Sequence, residues 1–112
     1  MSFLVSKQPV FNAQGVTDAY EASYCFASYD GDKDITKDDI EDAKEYLRLN
    51  SDLIFDRKIA YVRFSPRLLE ENFHELFTKD RLIVEVTTEM LADPATLQKC
   101  MQLHRLGYSI AF

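Results

Sequence analysis

Apolar positions change their period along the chain, and each change marks an element. Residues 3–11, FLVSKQPVF, and Val16–Ser28, VTDAYEASYCFAS, are β-branched and aromatic stretches separated by Asn12–Gly15. Two such runs around a glycine-containing turn predict an antiparallel hairpin, the glycine supplying a positive φ. Strand alternation puts Tyr20, Ala22, Tyr24 and Phe26 on one face of the second run, and Glu21, Ser23 and Cys25 on the other. From Lys37 to Leu53 the period lengthens: Ile40, Ala43, Tyr46 or Leu47, and Asn50 recur at three- and four-residue steps, the spacing of a helix. Thr36 or Asp38 stands where a cap belongs, and nearby acids suit the positive end of the helix dipole.

Lys58–Phe64, KIAYVRF, returns to strand character. Ser65-Pro66 then predicts a helix start, with serine as cap and proline in the first turn; Leu68, Leu69, Phe73, Leu76 and Phe77 form its apolar side. Arg81–Thr88, RLIVEVTT, is a run of the kind that forms strands buried on both faces of a parallel sheet. Asp93-Pro94 opens another helix, with Leu97, Met101, and Leu103 or His104 on one side. Gly107 ends it, and Tyr108–Phe112 begins a further strand. Hairpin, then alternating helix and strand, predicts a single α/β domain over residues 1–112 built on right-handed βαβ units. A (β/α)8 barrel takes about 250 residues, so this pattern matches the first half of one. A complete small α/β sandwich is the alternative.

Composition narrows the function classes. The net charge is −6, with no block of Lys and Arg and no glycine-rich phosphate loop, which disfavours a DNA partner. The start lacks a long apolar signal core, and no run reaches the length that spans a bilayer, so no membrane insertion is expected. Cys25 and Cys100 lack metal-ligand spacing and read as reduced thiols of a cytoplasmic protein, one or both buried. Asp30–Glu41 places acids as a calcium loop does, but Ile35 stands where the sharp turn requires glycine. A solvated acidic loop is the simpler reading. His74, among Glu70, Glu71 and Glu75, is expected to face solvent, and His104 to sit at a negative helix end. Neither has a Ser or Cys partner in a recognisable motif, so no catalytic residue is assigned.

The two strand carboxylates, Glu21 and Glu85, remain as candidate chemistry. They occur within QPV at 8–10, YEA at 20–22, VRFSPRLL, LIVEVTTEML and LGYSIAF. In order and spacing these motifs resemble an EAL-type cyclic di-GMP phosphodiesterase domain, of the variety fused to a modified HD-GYP (HDOD) domain, over nearly the whole chain. The resemblance implies two-metal phosphodiester hydrolysis, with carboxylates and an asparagine at barrel strand ends holding Mg or Mn. Glu21 and Glu85 match metal-ligand positions, and Gln8 matches a nucleotide contact. Ser23 replaces a leucine, Cys25 a ligand-contacting arginine, Arg63 the metal-binding asparagine, and Thr88 a second glutamate. The family's paired aspartates fall beyond Phe112. Arg63 puts a permanent cation where a divalent ion would sit, and an ion pair with Glu85 or Glu21 would satisfy the charges without metal. No metal or other cofactor is therefore expected, and the resemblance implies an inactive regulatory or protein-interaction module. An active phosphodiesterase completed by residues beyond Phe112, and a cyclic di-GMP receptor that does not cleave, are the alternatives. Half a barrel exposes two sheet edges and its inner face, so a homo-oligomer or a protein partner is expected.

Overall fold

A computed structural model describes residues 2–27 and 36–112, with side chains from 5–24 and 36–112. The acidic stretch read against a calcium loop lies largely outside the described residues. A five-stranded sheet in the order β1-β2-β3-β4-β5 organises the rest: β1 (Ser2–Phe11), β2 (Thr17–Ala27), β3 (Ile59–Arg63), β4 (Leu82–Glu85) and β5 (Ser109–Ala111). β1 and β2 are antiparallel, while β2 to β5 run parallel. Gly15, at φ 77°, closes the hairpin turn, and the Asn12 carboxamide oxygen accepts from the backbone N–H groups of Gln14 and Val16.

Every helix that joins the core covers the same face of the sheet. Ala22, Tyr24, Ala60, Val62, Leu82 and Val84 point into one apolar cluster, where they meet Ile40, Ala43 and Leu47 of α1 (Lys37–Phe55). Leu68 and Leu69 of α2 (Pro66–Glu70) and Cys100 and Leu103 of α4 (Pro94–Arg105) complete it. Most alternate residues on the other face remain exposed or half-buried, namely Glu21, Ser23, Ile59, Tyr61, Arg63, Ile83 and Glu85, while the small Ala19 is buried. The expectation that RLIVEVTT is buried on both faces is thus corrected. Leu82 and Val84 are buried, Ile83 and Glu85 only partly so, because helices pack on one side alone. The strand is also shorter than the apolar run. Thr87 leaves it to cap the one-turn helix α3 (Thr88–Leu91), accepting from the Met90 N–H at 3.2 Å.

Local chemistry sets the helix boundaries. Thr36, not Asp38, caps α1 in a reciprocal box with Asp39: each backbone N–H donates to the other's side chain at 3.1 Å. Ser65 and Asp93 cap α2 and α4, each followed by proline. The helix expected to run from Pro66 through Phe77 stops at Glu70. Asn72 adopts a left-handed backbone (φ 60°), and a 3-10 turn carries Phe73–Leu76 onward. The tighter turn changes the phase of the side chains and corrects the expectation for His74, which is buried rather than facing solvent. Its ring meets Tyr108 edge-on at 5.0 Å, and burial lowers its pKa, with the Lys99 charge adding to the effect. His104 lies exposed in the last turn of α4, as expected. Along α4 the buried stripe is Thr96, Cys100 and Leu103. Leu97 and Met101, read from the sequence as sharing one side of this helix, are 42% and 49% exposed and border an apolar groove with Ile110 and Phe112. Cys100 is a free, buried thiol whose pKa burial pushes up, disfavouring the thiolate.

Candidate functional site

Because side chains alternate along a strand and register aligns neighbouring strands, distant residues meet in rows on the open face. Gln8 lies opposite Glu21, and Glu21 is level with Tyr61 on β3. One step toward the carboxyl ends, Ser6 lies opposite Ser23, Ser23 is level with Arg63, and Arg63 with Glu85. Ser6, Gln8, Glu21, Ala22, Ser23 and Arg63 enclose a cavity of about 160 Å3. Of the residues singled out from sequence, Gln8, Glu21, Ser23 and Arg63 line this hollow, whereas Glu85 and Thr88 do not. Sequence reading missed Ser6 and Tyr61, which stepping two residues along the strands from Gln8 and Arg63 would have supplied.

Charge decides what this arrangement can do. Glu85 has one carboxylate oxygen, Oε1, buried with no hydrogen-bond partner among the described residues. Its pKa is raised, first by burial and then by the neighbouring Glu21 charge, while Arg63 pulls the other way. The expected ion pair is absent: among the described residues no Arg63 nitrogen lies within 4.0 Å of the Glu21 or Glu85 carboxylate. Arg63 is exposed, and in water a long guanidinium gains little from fixing itself on one carboxylate. Thr88 stands off the sheet, exposed in the first turn of α3. Cys25 pairs with Leu4 in the backbone ladder, and its side chain lies outside the described residues.

The donor set does not fit a pair of divalent ions. Among the described residues no group of three or more His, Cys, Asp or Glu side chains converges as metal ligands. The position level with Glu85 carries a permanent cation instead of a neutral donor. The arrangement does offer two hydroxyls, a carboxamide, one carboxylate and one arginine around a small polar hollow, with Glu85 level with the arginine. Such groups can donate and accept hydrogen bonds.

The raised pKa of Glu85 has a direct consequence for stability. The folded state prefers the neutral carboxyl, so this contribution is fully present below about pH 4.5 and is lost as pH rises through the elevated folded value. Glu85→Gln keeps the shape and removes the titration. Its stability advantage over the wild type is expected to widen from pH 4.5 upward in urea unfolding curves. A constant gap between pH 4 and 8 would mean that the carboxylate is solvated.

Comparison with known proteins gives one weak relationship. The chain is 26% identical over 117 aligned positions to the uncharacterized protein YuxH of Bacillus subtilis (strain 168), a match covering 99% of this chain. The chain spans 28% of that relative's length. No family model matches, and no solved structure does. No helix among the described residues is long and apolar enough to cross a membrane.

Proposed function

We propose that this chain is a degenerate EAL-like module of cyclic di-GMP-type signalling that acts in the cytoplasm as a regulatory or protein-interaction domain without catalysis. The observation that carries the reading is the strand register that sets Arg63 level with Glu85 at the carboxyl ends of parallel strands. Ligand sites of parallel α/β sheets lie at those ends, and here a guanidinium takes the place of a neutral metal ligand. One-sided helix packing supports the barrel-half architecture, in which the open face would be the barrel interior. The exposed Leu97, Met101 and Phe112 form an apolar patch beside β5, and these groups support association with a second copy or another protein.

A second reading, a metal-independent cyclic di-GMP receptor, is favoured by Gln8, Ser6, Ser23 and Arg63 around one hollow. Calorimetric titration with cyclic di-GMP, with and without magnesium or manganese, separates the readings when combined with a light-scattering mass. The expected result is no metal-dependent binding and a mass of two or more chains. Binding that requires the metal would overturn the degenerate-site reading. Metal-independent binding would select the receptor.

A further inference from the structure

At the pole opposite this site, the amino ends of β3 and β4 hold a second cavity, of about 100 Å3, with an unlike chemistry. Arg57, Lys58 and Arg81 line it together with the Ser51 and Thr78 side chains, against a wall made by Phe55 and Phe77. In a chain of net charge −6, three cations at one small hollow are a local inversion of the field. Asp52 is the acid in the lining, 4.0 Å from Arg57, with both side chains largely exposed. Among the described residues, Lys58 and Arg81 have no carboxylate within 4.0 Å.

The backbone holds these cations in place. Asp56 and Arg57 occupy the left-handed region in succession, at φ 51° and 58°, a conformation that favours glycine. The turn they form links α1 to β3 and is closed by the Lys58 N–H donating to the Phe55 carbonyl at 2.8 Å. A glycine would serve that turn, whereas arginine also presents a guanidinium at the cavity mouth. Arg81 is fixed from the other side by a 3-10 turn, its N–H donating to the Thr78 carbonyl at 3.1 Å. The negative end of α1 also lies nearby, but Lys7 donates to the Ile54 carbonyl there, and Tyr20 donates to Asp56. Lys58 and Arg81 remain available to an external group, and Arg57 is held only by its long, exposed pair with Asp52.

We propose that the hollow formed by Arg57, Lys58 and Arg81 binds a small oxyanion of the phosphate class. Guanidinium forks match tetrahedral oxyanions, lysine adds a point charge, and serine and threonine hydroxyls donate to remaining oxygens. At about 100 Å3 the hollow is of a size for one phosphate group.

The test is titration of the isotopically labelled chain with inorganic phosphate, at constant ionic strength set with chloride, followed by amide NMR shifts. Saturable shifts are expected at Ser51–Lys58 and Leu76–Arg81, well away from Arg63 and Glu85. Replacing both arginines, Arg57→Gln with Arg81→Gln, is expected to weaken the affinity about tenfold or more. Lys37→Gln, at the opposite end of the 19-residue α1, leaves it unchanged. Asp52→Asn removes the opposing charge and is expected to tighten binding. These exposed substitutions preserve the fold, which the spectra themselves report. Phenyl phosphate tests a phosphate carried on a larger molecule: equal saturation means the phosphoryl group alone is read, and a failure to saturate means the site takes the free ion. Shifts that are linear in phosphate or scattered over the chain, or an unchanged affinity in the double variant, would overturn the proposal.

Discussion

Phe73→Ala is expected to lower the unfolding free energy by about 3–5 kcal/mol. Phe73 is fully buried in the 3-10 turn between β3 and β4, among the largest side chains in the core. Truncation removes the transfer energy of a benzyl group and leaves a cavity, because close-packed neighbours relax only in part. A domain of this size has about 5–15 kcal/mol in total, so the variant loses a large share of it. The functional consequence follows from position. The turn lies in the segment joining Arg63 to Glu85, so loosening it disturbs the register that sets the candidate site. Urea unfolding checks the magnitude. A loss below about 1 kcal/mol would mean that Leu69 and Leu76 close the gap and that the turn is not an anchor.

An aspartate at Val62 is expected to abolish the cooperative fold, whereas an aspartate at Ser109 leaves it intact. Val62 is wholly buried between β2 and β4 on the helix-covered face. An ionised carboxylate there has no partner, and its desolvation costs several kcal/mol, comparable with the whole stability of the domain. Ser109 lies on the exposed face of β5, level with Ile83, where water solvates the same group. Circular dichroism and thermal unfolding of the two variants test one-sided packing directly. Equal destabilisation would mean that the open face is covered in solution, as an assembly through that face would require. The pair of variants therefore reads the oligomer expectation as well as the core.

How far the sequence reached depended on whether the signal was local. The hairpin, α1, α4 and the caps at Thr36, Ser65 and Asp93 were legible, because periodicity and capping chemistry act over a few residues. Alternation on β2 correctly divided the buried Ala22 and Tyr24 from the exposed Glu21 and Ser23. The break at Asn72 was not legible. Its left-handed backbone accompanies a tertiary contact, the Lys99 ammonium donating to its side-chain oxygen at 2.6 Å across 27 positions. The inward turn of His74 followed from that break, and the extent of β4 from the cap made by Thr87.

By itself, the sequence determined strand, helix and turn, and which side of each strand is apolar, since those follow from backbone sterics and solvent partition within short segments. Tertiary structure alone decided that helices cover one sheet face, and that α4 buries Cys100 while leaving Met101 exposed. It also decided that Arg63 lies level with Glu85 without pairing, and that Arg57, Lys58 and Arg81 share one hollow. These outcomes depend on register and on the competition between solvation and contact across long loops. No short window of residues contains that competition.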